Sequence, residues 1–427
     1  MIFKDALRSL KNNLSRAFFY WLTFVLCSAF IFLFFNISMS EAIGVVFINS
    51  KDDIATTVTI FVVFICAVDI FFANDFFVKN KAKDLAVRLV CGATYLQLAS
   101  YLLIQTFLLL AVALPAGVAI SFLAIPFMNA WLVSAGFDFA ISIHFDAVVV
   151  TLIVMVFVIF WTTFLNLSFA YRNAASMMLN QGAMLKLNSG SYKEKEKTFF
   201  NQFKKYGSIA LYILPLVIMW FNSGMIAILS IIGMVGLNLM IKEVLMPLTY
   251  KLVDEKKINN PNIVAYVGFL RSDLNNMKLN LMLHVVTVVI LISILTSITD
   301  SGLETMLVML SYVVLNILQA MCVMFRFSTE TVVRRRFFMT LHHIGFLPSE
   351  LVAVVRNEVL TFYGFSLITA LLYIGNIFIC LCKDGAAVAS LSLPLLAIFI
   401  VPIIICGFFS FRYYLKVVAP AWEKIER

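Results

Sequence analysis

The feature that most constrains this chain is a series of apolar runs, each about 20 residues long, that recurs along all of its 427 residues. A helix of that length crosses roughly 30 Å of hydrocarbon. The residues are 62% hydrophobic and only 13% charged, which is more apolar material than a soluble core requires. None of the runs alternates as a barrel strand does. The sequence therefore predicts an all-α, polytopic membrane protein.

Hydropathy and the intervening polar segments predict about ten transmembrane helices. These spans lie at 17–39, 55–76, 96–125, 145–168, 207–221, 224–242, 279–298, 304–325, 354–380 and 391–413. The fifth and sixth are the weakest, because the fifth is short and only the residues 222–224 separate the two. The first run lacks a small-residue cleavage site, so we expect a membrane span there rather than a signal peptide.

The distribution of basic residues predicts the orientation of these spans. With a cytoplasmic N-terminus, only Lys51 and Lys383 of the 32 lysines and arginines lie outside. The positive-inside rule then favours an even number of spans and a multi-pass protein of the cell membrane with both termini cytoplasmic. The net charge of +9 needs no nucleic acid to explain it, since orientation and attraction to anionic membrane lipid are sufficient.

The first residues of the chain have the pattern of an amphipathic helix. One helical face carries Phe3, Leu7, Leu10 and Leu14, and the basic residues Lys4, Arg8 and Lys11 lie away from it. Such a helix lies in the cytoplasmic interface of a membrane. The alternative is a merely basic tail.

An internal repeat becomes visible when the chain is shifted by 253 residues. "KAKDLAVRLVCGATYLQL" then lies over "RRRFFMTLHHIGFLPSEL". The shift pairs Lys81 with Arg334, Lys83 with Arg336, Gly92 with Gly345 and Gln105 with Glu358. An even number of spans keeps the two copies in the same orientation, which predicts two parallel three-span repeats facing each other across a pseudo-twofold axis.

Each copy of the repeat begins its cytoplasmic segment with a short amphipathic helix. The apolar side is predicted from Leu85 and Leu89 in one copy and from Phe337, Leu341 and Ile344 in the other; the polar side is predicted from Lys81, Arg88, Arg334 and Arg335. Gly92 and Gly345 fit the position after a helix end, where a left-handed conformation is needed.

These residues resemble the FtsX-like or MacB-type permeases of type VII ABC transporters. "NDFFVKNKAKDLAVRLVCGATYLQLASYLLIQ" has the usual form of the repeated signature, and "TVVRRRFFMTLHHIGFLPSELVAVVRNE" looks like the second copy of ten-span, BceB-like bacitracin permeases of Gram-positive bacteria. The resemblance divides the chain into an N-terminal interfacial helix with the first span (1–54), a first FtsX-like repeat (55–168), cytoplasmic linkers with spans five to seven (169–303), and a second repeat with a cytoplasmic tail (304–427).

The resemblance implies a permease subunit that is not itself an enzyme and has no cofactor. ATP would be bound by a separate ABC ATPase subunit, in two copies per permease. The residues carried over by position as the coupling-helix contact with that ATPase are Lys81, Lys83, Asp84, Arg88, Gly92, Arg334, Arg335, Arg336, His343 and Gly345. For the arginine triplet, the alternative is ordinary positive-inside anchoring.

The chain departs from the bacitracin-type pattern between spans seven and eight. Those permeases carry a large extracellular domain there, where this chain has only "SITDSGLE". A ligand would therefore enter from the membrane or from short loops.

Motifs for other activities are absent from the sequence. The chain has no G-x-x-x-x-G-K-[S/T] phosphate loop, so it does not hydrolyse ATP by that chemistry. It has no H-E-x-x-H motif, and its four histidines show no spacing that would bind zinc. No catalytic or metal-binding residue is predicted.

Four polar residues in or near apolar spans are candidates for a functional role, since charge inside a membrane is costly. They are Asp69, Gln105, His284 and Glu358. A structural role is the alternative. His342 and His343 form either a pH switch or part of a solvated helix face.

The predicted function is export or removal of an amphipathic peptide or lipid-associated substrate, with antimicrobial peptide resistance as the expected role. Two alternatives stay open. One is a membrane component that senses peptides together with a histidine kinase, and the other is an ATP-independent secondary transporter, for which paired charges at the bilayer midplane are expected.

Overall fold

The computed structural model describes residues 2–12, 14–39, 54–134, 141–172, 199–221, 225–254, 261–297, 302–383 and 389–423. Every regular element in these ranges is a helix. Nine helices of the described part are long and apolar enough to cross a membrane. The protein is an all-α, polytopic membrane protein, as the sequence predicts.

The chain forms two compact units. The first comprises Met1–Gln181 and Ser301–Val314, and it contains both predicted segments 1–54 and 55–168. Its helices before residue 181 are α1 (Ile2–Asn12), α2 (Leu14–Ser38), α3 (Ile54–Asn80), α4 (Ala82–Val90), α5 (Tyr95–Ser134) and α6 (Phe145–Arg172).

The second unit comprises Gly182–Asp300 and Leu315–Arg427. Its helices are α7 (Phe199–Ile218), α8 (Ile226–Met240) with a π-helical turn (Ile241–Leu245), α9 (Met246–Asp254), α10 (Pro261–Ser297), α11 (Gly302–His343), α12 (Pro348–Lys383), α13 (Ala389–Val418) and α14 (Pro420–Glu423). The first residues of α11, up to Val314, belong to the first unit.

The nine candidate membrane helices account for every predicted span except the fifth. That span, 207–221, falls on α7, which begins in a polar segment with exposed Lys204 and Lys205. The apolar part of α7 is thus too short to qualify by itself. The total of ten spans and the position of the two termini stay predictions.

Small residues allow a close contact between α2 and α5 in the first unit. A Cβ atom at Gly117 of α5 would lie 2.1 Å from Ser28 Oγ and 2.6 Å from the Val25 carbonyl oxygen of α2. Close by, the Ser121 hydroxyl donates to the Ala29 carbonyl over 2.8 Å. Helices in membranes associate through such small residues because lipid provides no hydrophobic drive between them.

The two repeat glycines end their helices in the same way. Gly92 has φ 92° and Gly345 has φ 110°. The Ala93 amide donates to the Arg88 carbonyl over 3.0 Å, and the Phe346 amide donates to the carbonyl of Leu341 over 3.1 Å. These six-to-one bonds, together with the left-handed glycine, form a Schellman motif in each copy. The predicted conformation of both glycines is confirmed.

Gly92→Ala and Gly345→Ala should each lower the free energy of unfolding by about 1–2 kcal/mol, because an L side chain is strained at positive φ. Thermal unfolding of the detergent-purified protein measures the effect. Gly268→Ala is the matched control: Gly268 lies inside α10, and a Cβ atom there meets nothing within 4 Å. That control should be neutral or slightly stabilising, and an equal loss at Gly268 would contradict the argument.

Candidate functional site

A buried lysine stands at the junction between α3 and α4. Lys81 is 3% exposed, and its Nζ donates to Gln105 Oε1 over 2.5 Å. The same ammonium lies 4.6 Å from the centroid of the Phe77 ring and 5.9 Å from that of Tyr101. Aromatic faces attract a cation through their quadrupole. The start of α4 is thereby attached to α5.

The N-terminal helix completes this arrangement. Gln105 Nε2 donates to the Ala6 carbonyl of α1 over 3.1 Å. Asp5 of α1 forms an ion pair with Arg88 of α4 at 3.8 Å, and the Arg88 guanidinium lies 4.0 Å above the Tyr101 ring. We name this set the first cluster: Asp5, Ala6, Phe77, Lys81, Arg88, Tyr101 and Gln105. It joins α1, α3, α4 and α5.

A buried arginine occupies the equivalent position of the second copy. Arg334 of α11 is 3% exposed and forms ion pairs with Asp273 of α10 and Glu358 of α12, both fully buried. One of its nitrogens also donates to the Phe269 carbonyl over 3.4 Å. The Tyr414 hydroxyl of α13 donates to Glu358 Oε2 over 3.0 Å. These five residues form the second cluster, which joins four helices.

The second cluster is held by charge. Burial disfavours the charged guanidinium, but the neighbouring carboxylate of Asp273 raises the pKa of Arg334 above its usual value. The arginine therefore stays ionised. A buried ion that loses its partner is strongly unfavourable, so each member of the cluster fixes the others.

The two clusters follow the repeat register of 253 residues. Arg334 corresponds to Lys81 and Glu358 to Gln105. Asp273 corresponds to Tyr20 of α2, whose buried ring stacks on that of Phe77 with centroids 4.7 Å apart. The register therefore extends one helix before each predicted repeat. Where the first copy has a phenol and an amide, the second has two carboxylates.

The next helix also begins alike in both copies. The Thr94 amide donates to Gln97 Oε1 over 3.0 Å, and the Gln97 amide donates to Thr94 Oγ1 over 3.3 Å, which is a capping box. At the corresponding positions, the Leu347 amide donates to Glu350 Oε2 over 3.0 Å. The short turn between the helices is thus fixed on both sides.

Residues 56–175 match the family model described as FtsX-like permease C-terminal. The chain contains an FtsX-like permease domain. This domain spans α3 to α6 and includes Lys81, Arg88 and Gln105 of the first cluster. Permeases of this family work with a separate ATPase. Among curated proteins, none matches the chain.

The structure corrects two expectations about the repeated helix. Lys81 and Arg334 were predicted on an exposed polar side, but both are buried. The second copy is not a separate short helix, because α11 runs without a break to His343. Its buried positions include Arg334 and Phe338, one turn apart, whereas Phe337 and Ile344 are exposed.

The other predicted coupling residues lie nearer the surface. Lys83 and Asp84 of the FtsX-like domain are exposed, and so are Arg336 and His343 of the second copy. Arg88 and Arg335 are half-buried. His342 is also half-buried, and its Nδ1 lies 3.1 Å from the Phe346 carbonyl oxygen. The histidine pair therefore belongs to a partly solvated helix end.

Of the four predicted intramembrane candidates, Gln105 and Glu358 belong to the clusters. His284 is buried on α10, with Nε2 3.2 Å from Asn316 Oδ1 of α11. Nearer the second cluster on the same helix pair, Arg326 donates to Asn280 Oδ1 over 2.8 Å. Asp69 is fully buried on α3. Buried polar side chains of α10 and α11 are therefore paired at two successive positions along these helices.

Sequence reasoning missed several members of the clusters. Asp273 and Tyr414 lie far from Arg334 in the sequence, and Ala6 contributes only its backbone oxygen. One signal was available for Asp273: extending the repeat by one helix pairs it with Tyr20. Among the described residues, no group of three or more His, Cys, Asp or Glu side chains is placed to hold a metal ion.

Arg334→Gln should lower the free energy of unfolding by about 3–5 kcal/mol, because it leaves two carboxylates buried without their cation. Arg336→Gln, at an exposed position of the same helix, should change it by less than about 0.5 kcal/mol. Thermal unfolding in detergent compares the two.

A rescue variant tests the cause. Arg334→Gln combined with Asp273→Asn and Glu358→Gln leaves no ion in the second cluster, so it should recover most of the lost stability. If the triple variant is as unstable as Arg334→Gln, the loss does not arise from unpaired carboxylates.

Proposed function

We propose that this permease subunit exports an amphipathic or lipid-associated substrate, and that α4 and the last turns of α11 receive force from two copies of a cytoplasmic ATPase. Both chain termini are then cytoplasmic. Bacitracin-type permeases serve as the model for this proposal, and removal of an antimicrobial peptide from the membrane is the proposed role.

The observation that carries this proposal is the pattern of burial along the two repeated segments. In each copy, a cation is buried against the following long helix, and charged side chains two or three residues later are exposed. Lys83 and Asp84 follow Lys81, and Arg336 follows Arg334. A partner can bind the exposed side chains, while the buried cation passes displacement to the membrane helices.

Force transmission requires that the repeated segment cannot rotate independently of its neighbours. The buried cation fixes its beginning, and the Schellman turn with the capping bonds fixes its end. A packed and hydrogen-bonded element moves as a body rather than deforming continuously. Displacement of α4 therefore moves α5, and displacement of the end of α11 moves α12.

The proposed class of substrate follows from the short connection between α10 and α11. The chain has only "SITDSGLE" there, which is far too short to fold into a capturing domain. A substrate dissolved in the membrane reaches the helices without such a domain. Amphipathic peptides and lipid-linked molecules have this property.

The proposal is tested by co-expressing the chain with an ABC ATPase subunit from the same organism and measuring ATP hydrolysis in nanodiscs. Lys83→Gln and Arg336→Gln should each weaken ATPase assembly by up to about five-fold, since exposed ion pairs contribute about 0.2–1 kcal/mol. The double variant should do so without loss of thermal stability.

Lys205→Gln with Lys251→Gln is the matched control, because it removes two exposed lysines elsewhere on the chain. This control should assemble and hydrolyse ATP as the parent protein does. The proposal fails if a correctly folded Lys83→Gln, Arg336→Gln double variant assembles and stimulates the ATPase normally.

A further inference from the structure

The N-terminal helix α1 has three distinct sides. Ala6 and Leu10 are buried within the first unit. Phe3 and Leu7 are 55% and 51% exposed. The exposed basic residues of the helix are Lys4, Arg8 and Lys11. This helix has 11 residues. Its exposed surface combines two large apolar side chains with a row of basic side chains, and no other part of the described chain covers it.

Helical geometry gives the order of these sides. Each residue advances about 100° around the axis, so Phe3 and Leu7 lie between the buried side and the basic stripe. Asp5 lies beyond the basic stripe, where it contacts Arg88 of α4 at 3.8 Å. The helix therefore stands between an apolar, cationic surface and α4.

We propose that this surface of α1 binds an anionic lipid bilayer, and that the binding stabilises the first cluster and so regulates the position of α4. The inference rests on the proposed role of α4 as the helix that receives force from the ATPase. The surface consists of Phe3, Lys4, Leu7, Arg8 and Lys11.

A lipid surface is the occupant that fits both halves of this surface. α2, the first membrane helix, begins at Leu14, directly after α1, so α1 is held at the membrane boundary. Phe3 and Leu7 can enter the boundary between head groups and acyl chains. Three cations beside them are attracted to anionic head groups at about 1 kcal/mol each, or about five-fold in binding per cation.

Two contacts connect this surface to α4. The Ala6 carbonyl accepts from Gln105, which also holds Lys81 at the start of α4. Asp5 meets Arg88 in the last turn of α4. A lipid that fixes α1 therefore fixes both ends of α4. In the second cluster, the buried cation is held by Asp273 of the long helix α10, which corresponds to α2 and not to α1, so the regulation belongs to the first copy.

Hydrogen–deuterium exchange of the full chain tests the proposal without any ATPase. The protein is placed in nanodiscs of phosphatidylcholine alone or with phosphatidylglycerol. Amides of residues 2–12 should exchange more slowly with the anionic lipid. Lys4→Gln, Arg8→Gln and Lys11→Gln together should remove most of that difference. Equal exchange of the parent protein in the two lipids would overturn the proposal.

A charge-matched control and a linkage variant complete the experiment. Lys205→Gln, Lys251→Gln and Lys416→Gln remove three exposed lysines elsewhere and should leave the lipid effect on residues 2–12 intact; its loss would contradict a specific role of α1. Asp5→Asn should keep the effect on α1 but reduce the lipid-dependent protection of residues 82–90, by up to about five-fold. An unchanged response of residues 82–90 would refute transmission through Asp5.

Because exchange is measured on the permease alone, this test is independent of ATPase assembly. Lipid-dependent protection with no ATPase binding would refute the proposed function and leave the lipid surface standing. Normal ATPase coupling with no effect of the anionic lipid would refute the lipid surface and leave the proposed function in place.

Discussion

The structure depends on one physical constraint, which is that a cation removed from water must be held by several neighbours at once. Taking an ion out of water costs several kcal/mol unless attraction and hydrogen bonds offset the cost. Lys81 and Arg334 are both buried at the same repeat position. Each therefore requires a polar group on the following long helix, and this requirement attaches the repeated segment to the helix bundle of its unit.

The two solutions differ because lysine and arginine differ. Arginine presents a rigid planar fork that matches carboxylates, and lysine presents a compact ammonium. Arg334 is accordingly held by two carboxylates and a backbone oxygen, whereas Lys81 lies against an amide and two aromatic rings. A cluster of ions resists separation more strongly than a hydrogen bond from an ammonium to an amide. The first cluster is thus the more easily separated of the two, and it is also the cluster to which α1 contributes residues.

Much of this arrangement was predictable from the sequence. Gly92 and Gly345 follow from the local requirement for positive φ, and the pairing of Gln105 with Glu358 follows from the repeat. The burial of Lys81 and Arg334 was not predictable in this way, because helical periodicity places a basic residue beside other basic residues on the polar side. The burial of Arg334 is recognisable only from its carboxylate partners. One of these, Asp273, lies on a helix outside the two aligned segments. The continuity of α11 was missed because the apolar span was predicted to end at residue 325, and the basic residues after it were assigned to a separate short helix.

The helical structure breaks between α3 and α4 at Lys81, whereas α11 is continuous through Arg334. A displacement of the exposed end of the repeated segment would therefore have different consequences in the two copies. In the first, α4 has 9 residues and is separated from α3 by a turn at Lys81, so a force at Lys83 turns a short segment about its buried anchor. In the second, α11 has 42 residues, which is about 63 Å at 1.5 Å per residue. A force at Arg336 acts on one end of this rod and reaches the buried polar pairs of α10 and α11, such as Asn280 with Arg326. Under the proposed coupling, the two repeated segments would therefore respond unequally, α4 by local rotation about Lys81 and α11 by tilting along its length.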